Sequence, residues 1–217
     1  MSEFQIWSEV QVDVQSALAV ATPITSISKA NPAIAAAIDH DFVAGDVVLL
    51  RVKGFNDLDY AVVRVGTVVA DVSFALEGID TSDFKGVFIS ATASKITFGV
   101  SAATFTDVTP SGGEATKVPF QTIHMKRGFN KPAAESPLVY GFGSLWDVAD
   151  PALIALQAAS RKGRVLAVRF VFLDGTTVLF AGQPSVNLAP AGSAGAAVTT
   201  PVSIDVRGWL QAYAGDE

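Results

Sequence analysis

Cysteine is absent from this 217-residue chain, and charged residues make up only 17% of it. Without cysteine the chain can form neither a disulfide nor a thiolate metal site, so thiol content says nothing about the compartment. Intrinsic disorder is also excluded, because disordered chains combine low hydrophobicity with high charge, whereas 50% of these residues are hydrophobic. The sequence therefore predicts a folded chain with little charge to cover its surface.

Long uninterrupted apolar runs are missing as well. The mean hydropathy of +0.40 would suit a membrane protein, but five charged residues interrupt the most apolar stretch, residues 47–69. A membrane-spanning helix needs about 20 consecutive apolar residues. The opening Met1-Ser2-Glu3 lacks the basic start and apolar core of a signal peptide. We therefore expect a soluble chain that buries its surplus apolar surface against other copies.

The formal net charge of −6 is unevenly distributed. Residues 1–108 hold 13 acidic and 6 basic side chains, whereas residues 109–217 hold 8 and 9. An acidic chain disfavours indiscriminate binding of nucleic acid, which requires a basic face. Residues 117–131 are a local exception with four basic side chains and no acidic one. They form either a solvated loop or a contact with an acidic surface of a neighbouring copy. The four are Lys117, Lys126, Arg127 and Lys131.

Alternating and β-branched runs predict strands through most of the chain. The stretch Gln5–Val14 alternates valine with polar residues, and residues 46–52, 60–70 and 72–76 are rich in valine. Residues 88–106 contain two further strand candidates. Glycine, aspartate and asparagine separate these runs, as short hairpin connections require. We expect nine or ten strands in total.

One helix and a closing β-hairpin are predicted near the carboxyl end. In the stretch 147–163, Asp150 is placed as the N-cap, Pro151 as the first helical residue and Gly163 as the stop. Two strands at 165–172 and 177–182 flank an Asp-Gly turn. A small-residue connection at 189–197, a last strand at 198–209 and a polar tail at 214–217 follow.

These elements predict a mainly-β fold, a β-sandwich or partly open barrel with one flanking α-helix. A small β module at about 22–92 is inserted or appended in the amino-terminal half. Residues 109–137 differ in character, because proline and glycine bound them and no periodicity runs through them. A segment of this kind is usually a long functional loop or a disordered region.

No catalytic or metal-binding pattern stands out. His40 and His124 are the only histidines, so a zinc site would need both together with carboxylates, and no HExxH motif exists. We expect His40, which lies between Asp39 and Asp41, to be an exposed turn residue. The chain has no nucleophile elbow and no phosphate-binding glycine loop. The sequence therefore predicts a protein that is not an enzyme and has no cofactor.

The order of motifs from Asp150 to Tyr213 resembles that of siphophage major tail tube proteins. A short helix at 152–163 is followed by the strand VLAVRFVF at 165–172, an Asp-Gly turn, the strand TVLFAG at 177–182 and the closing strand at 198–208. The stretch TFTDVTPSGGE at 104–114 is similar to the region that precedes the long loop of that family. Together the resemblance covers residues 3–20 and about 95–213.

The resemblance implies an assembly as well as a fold. Six copies would close into a ring, rings would stack into a tube in the virion tail, and residues 109–137 would reach the next ring. The implied partners are other copies, the tape measure protein, tail terminator and tip proteins, and DNA in transit, with no membrane and with assembly in the host cytoplasm. The candidate contacts between subunits are Lys117, Lys126, Arg127, Phe129 and Lys131.

Two other classes of function stay open at this point. The chain could be another β-rich virion component, such as a tail terminator, a decoration protein or an adhesin, since these share strand-rich sequences. It could also be an enzyme or a small-ligand barrel with an apolar cavity that no motif reveals. Rings that extend indefinitely, carbohydrate binding and stoichiometric binding of a hydrophobic ligand would separate these alternatives.

Overall fold

A computed structural model of the chain describes residues 6–215. Gln5 of the first predicted strand and Asp216-Glu217 of the predicted tail lie outside the described residues. Strands hold 51% of the chain and helix 7%, which confirms the predicted mainly-β class with one α-helix. Fifteen strands are present among the described residues rather than nine or ten. The elements are β1 (Gln11–Leu18), β2 (Thr22–Ile24), β3 (Ser26–Ile27), β4 (Ala33–Ala36), β5 (Val47–Lys53), a 3-10 turn (Asn56–Leu58), β6 (Val62–Val69), β7 (Ser73–Leu76), β8 (Ser90–Ala102), β9 (Phe105–Ser111), β10 (Ala115–Phe120), β11 (Phe129–Glu135), β12 (Val139–Leu145), α1 (Pro151–Arg161), β13 (Leu166–Val171), β14 (Thr177–Ser185) and β15 (Thr199–Tyr213).

Thirteen strands form one curled sheet in the order β3-β4-β7-β6-β5-β8-β1-β13-β14-β15-β12-β9, with β2 paired to β8. β10 and β11 pair only with each other. The two strand candidates expected within 88–106 are one continuous strand, β8. Its first half pairs with β5 and β2, and its second half pairs with β1. This long strand therefore joins the two halves of the molecule.

The amino-terminal half is a small barrel made of β2 to β7 and the first half of β8. β2 pairs with β8 and β3 pairs with β4, and only Thr25 separates β2 from β3. The pairing path β4-β7-β6-β5-β8 therefore returns to the segment where it started. A single core cluster fills this barrel, including Leu50, Leu58, Val63, Phe74 and Leu76, each at most 1% exposed. We call this unit the N-terminal barrel.

The carboxyl half is an open sheet with α1 on one face and the N-terminal barrel on the other. Strand alternation sends Val168 and Phe170 of β13 towards α1, where they share a core cluster with Leu153 and Leu156. Ala167, which precedes Val168 and faces the opposite side of the sheet, belongs to a second cluster that reaches the barrel residue Val62. Burial on both faces explains why β13 and β14 are nearly continuous apolar runs.

The helix begins where the sequence predicts. Asp150 is the N-cap, and its Oδ1 atom accepts hydrogen bonds from the backbone N–H groups of Ala152 (2.8 Å) and Leu153 (3.0 Å). Pro151 occupies the first turn, where its missing N–H leaves no bond unmade. The other carboxylate oxygen accepts from the Thr104 hydroxyl at 3.0 Å, so the cap also fixes the helix to the β8–β9 connection.

One ion pair lies within the sheet between β1 and β13. Asp13 is 2% exposed and lies directly opposite Arg169, whose guanidinium donates to its Oδ2 atom from Nε at 3.0 Å and from Nη2 at 2.5 Å. Burial acts to raise the pKa of Asp13. Hydrogen bonds from Ser101, Arg169 and Gln11 outweigh it and hold that pKa below its ordinary value.

Candidate assembly surfaces

Residues 109–137, expected to lack regular structure, form a β-hairpin that continues the β9–β12 ladder outwards. The ladder runs through Ser111↔Val139, and the Gly113 N–H then donates to the Ser136 carbonyl at 3.1 Å. Beyond that point β10 pairs with β11 from Ala115↔Glu135 to Phe120↔Phe129. The strand signal in this segment is weak, because four prolines and a Gly-Gly pair interrupt the pattern. We call residues 115–135 the distal hairpin.

The distal hairpin lies outside every core cluster of the described chain. Every residue of β11 is exposed, and so is every residue of β10 except the half-buried Ala115. Its aromatic pair, Phe120 and Phe129, has ring centroids 5.4 Å apart, yet both side chains remain about half exposed. A two-stranded hairpin is marginally stable in water without further packing. The distal hairpin therefore presents apolar surface that no other part of the described chain covers.

The register distributes the predicted contact residues over both faces and the tip of the distal hairpin. Opposite residues share a face, so Val118↔Lys131 and Phe120↔Phe129 place Phe129 and Lys131 together. Lys117, opposite Pro132, lies on the other face. Lys126 and Arg127 lie in the connection between β10 and β11. The five residues therefore belong to one element but do not form one cluster.

Gly112 fixes the direction in which the distal hairpin leaves the sheet. Its φ is +82°, and a Cβ atom at this position would lie 2.0 Å from the carbonyl oxygen of Pro137 in the facing segment between β11 and β12. Any side chain would therefore clash with backbone as well as strain its own backbone.

Strand β9 ends the large sheet. It pairs with β12 on one side, and among residues 6–215 no strand pairs with its other side. An unpaired edge exposes a row of backbone N–H and C=O groups to which another chain can add a strand. β9 leads directly into the distal hairpin, so the unpaired edge and the exposed hairpin adjoin.

A groove of about 920 Å³ runs along the open sheet near this edge. Most of its lining residues are small or polar, such as Thr106, Asp107, Gly143 and Thr200, and Val186 and Val202 are among the apolar ones. The carboxylate of Asp107 accepts a hydrogen bond from the Gly143 N–H at 3.1 Å, so it serves the strand pairing. Within the described ranges no group of three or more histidine, aspartate or glutamate side chains could hold a metal ion.

The expectation for His40 is wrong. The ring is 3% exposed and lies inside the N-terminal barrel, stacked on Phe42 at 5.5 Å and edge-on to Phe74 at 5.4 Å. Neither ring nitrogen has a hydrogen-bond partner. The flanking Asp39 and Asp41 are exposed. His40 lies in the connection between β4 and β5, where the positive φ of Asp39 (+54°) bends the chain and the ring packs inwards. His124 is exposed in the connection between β10 and β11.

A family model described as phage tail tube protein matches residues 53–215, three quarters of the chain. No curated protein matches the chain. Among residues 6–215 no helix is long and apolar enough to cross a membrane.

Proposed function

The chain belongs to the phage tail tube protein family, and on that premise we propose that it is the major tail tube subunit of a long-tailed phage, a siphovirus. Membership makes it a structural component of the phage tail that assembles into a tube. The proposal adds that six copies close into each ring, that rings stack, and that the lumen conducts DNA during ejection. Assembly takes place in the host cytoplasm, with the tape measure protein and with terminator and tip proteins at the ends.

The observation that carries the proposal is the distal hairpin. A monomeric protein gains nothing from a 21-residue hairpin that contacts no core and exposes two phenylalanines and a valine. Apolar side chains gathered in an exposed patch mark an interaction surface. A second copy of the chain supplies the burial that the hairpin lacks, and the tube is the assembly in which every hairpin finds such a copy.

The free edge of β9 supports closure of a ring. Adding a neighbour's strand to this edge removes the unpaired backbone groups and extends the sheet around an axis. We propose that the distal hairpin and the sheet edge each contact a different surface of the neighbouring copy, so that the contacts are head to tail. Contacts of that type close into rings or propagate as filaments, and a tube requires both.

Electron microscopy of the purified full-length protein over a range of concentrations tests this function. We expect rings of uniform diameter and tubes that lengthen as the protein concentration rises. Single rings that never extend would indicate a terminator instead. Monomers at every concentration and salt tested, with no ring or tube, would contradict the proposal.

We also propose that the distal hairpin contacts the next ring through its basic side chains. Changing Lys126, Arg127 and Lys131 together to glutamate should leave the subunit folded, because exposed residues outside the core contribute little to stability. Stacking of rings into tubes should be impaired. Tubes of normal length from this variant would show that the basic side chains are not the stacking contact.

A matched control changes three exposed basic residues elsewhere, Lys53, Lys85 and Lys162, to glutamate. The control has the same net charge as the hairpin variant. Because its substitutions lie outside the distal hairpin, its tubes should match those of the unaltered protein. Equal loss of stacking in both variants would attribute the effect to net charge rather than to the hairpin.

A further inference from the structure

One end of the N-terminal barrel combines exposed apolar and acidic side chains. It consists of the β4–β5 connection, residues 37–46, and the β6–β7 turn, residues 69–72. These two segments adjoin, because the Ala37 N–H donates to the Val72 carbonyl at 3.0 Å. We call this surface the acidic end.

Four aliphatic side chains of the acidic end are more than half exposed: Ile38 (67%), Val43 (59%), Val69 (55%) and Val72 (57%). Beneath them the packed rings of His40, Phe42 and Phe74 hold the connection against the barrel core. Single exposed aliphatic residues are normal on a protein surface, but four on two adjoining segments form a patch. The barrel core is already complete without them.

The charge of this patch has one sign. Asp39, Asp41 and Asp71 are exposed, and neither segment contains a lysine or an arginine. The remaining acid, Asp46, pairs with Lys95 at 2.7 Å. The acidic end therefore offers apolar surface surrounded by unneutralised negative charge.

The distal hairpin offers the complementary combination. Its Val118, Phe120 and Phe129 are each about half exposed, Ile123 is 96% exposed, and residues 117–131 contain four basic and no acidic side chains. Two acidic ends placed face to face would repel each other, and so would two basic hairpins. Opposite charge around apolar patches brings unlike surfaces together and sets their register.

We propose that the distal hairpin of one copy docks on the acidic end of a second copy. The inference rests on the proposed function for the existence of the assembly, and it adds the acceptor surface for the hairpin. A second copy accounts for both patches at once, whereas a nucleic acid bound to the basic hairpin would leave the acidic end unexplained. Because the two surfaces differ, the contact repeats from copy to copy.

The test uses a variant of the acidic end that preserves its backbone. Asp39 and Asp71 have φ values of +54° and +57°, a region that asparagine tolerates, so they are changed to asparagine and only Asp41 is changed to lysine. A control makes the same three kinds of change at exposed acids elsewhere, with Asp57→Asn, Asp83→Lys and Asp205→Asn.

The measurement is the lowest protein concentration at which full-length protein forms tubes, by sedimentation and electron microscopy. The acidic-end variant should need a concentration about tenfold higher or more, the scale on which close charge pairs act at interfaces. The control should assemble like the unaltered protein. Combining the acidic-end variant with Lys126→Glu, Arg127→Glu and Lys131→Glu should restore part of the loss, so that the combination assembles better than either parent.

Assembly of the acidic-end variant at the control's concentration would overturn the docking. A combination that assembles no better than the better of its two parents would overturn it as well. A third outcome is that every variant assembles normally, but the variant with Lys126, Arg127 and Lys131 changed to glutamate no longer binds duplex DNA. In that case the hairpin is a nucleic-acid contact and the proposal is wrong. Unaltered protein that never assembles would contradict the proposed function itself, whereas unaltered protein that assembles beside an unaffected acidic-end variant contradicts only the docking.

Discussion

Substituting either member of the Asp13–Arg169 ion pair should destabilise the fold, but the two substitutions should differ in their cost. Asp13 is 2% exposed, whereas the Arg169 side chain is 31% exposed and stacks on the Phe98 ring at 4.6 Å. Removing the carboxylate leaves a guanidinium that water can still reach. Removing the guanidinium leaves a buried carboxylate with hydrogen bonds only from Ser101 and Gln11.

The magnitudes follow from that difference in exposure. Removing one partner of a fully buried pair costs about 3–5 kcal/mol, because the other charge stays uncompensated. Because Arg169 is itself 31% exposed, we expect Arg169→Met to fall at the lower end of that range, about 3 kcal/mol. Asp13→Asn should cost less, about 2–3 kcal/mol, since Arg169 regains hydration and the loss is mainly of charge-assisted hydrogen bonds. The double variant should cost less than the sum of the two, because the uncompensated charge disappears.

Acid should remove the contribution of this pair. The pKa of Asp13 is lowered in the folded chain, and an aspartate in an unfolded chain has a pKa of about 3.9. The stabilisation is therefore complete well above pH 4 and is lost as the pH falls through the unfolded value towards the folded one. Asp13→Asn has no such carboxyl group, so its free energy of unfolding should change less than that of the unaltered chain between pH 6 and pH 3.

Urea unfolding followed by circular dichroism measures these differences, at concentrations low enough that the midpoint does not depend on concentration. Asp83→Asn serves as a control, because Asp83 is exposed and should change stability by less than about 0.5 kcal/mol. If Arg169→Met destabilises the protein less than Asp13→Asn does, the argument from burial is refuted. An unchanged pH dependence in Asp13→Asn would refute the assignment of the acid effect.

Three further substitutions test other parts of the structure. Phe129→Ser should change the free energy of unfolding by less than about 1 kcal/mol, because the ring is half exposed and contacts chiefly Phe120. It should nevertheless reduce tube formation, and loss of the fold instead would show that the hairpin belongs to the core. Gly112→Ala should cost about 1–3 kcal/mol and change the direction of the distal hairpin, because the new Cβ meets a facing carbonyl oxygen. Tubes should then fail to form while the circular dichroism spectrum stays β-rich, and normal tubes would contradict this. Asp150→Ala should cost about 2–3 kcal/mol by thermal unfolding, because the carboxylate caps α1 and binds the β8–β9 connection; a cost below about 0.5 kcal/mol would contradict the role of the cap.

The sequence alone determined the features that depend on near neighbours in the chain. The helix at Pro151–Arg161 follows from its cap and its apolar spacing, and the hairpin of β13 and β14 follows from an Asp-Gly turn between apolar runs. Both are local, so their signals lie within a few residues. The mainly-β class and the resemblance to tail tube proteins were read from the order of such elements, and the family match confirms the latter.

Only the tertiary structure decided which distant residues meet. The inward position of His40 depends on the closing of the N-terminal barrel, and the pairing of Asp13 with Arg169 depends on the register between strands 156 residues apart. The distal hairpin escaped prediction because its residues have no core face, so no alternation of apolar and polar residues marks its strands. The basic charge of the distal hairpin was visible in the sequence. Which of its residues share a face, however, depends on the register between β10 and β11, and the sequence of neither strand determines that register.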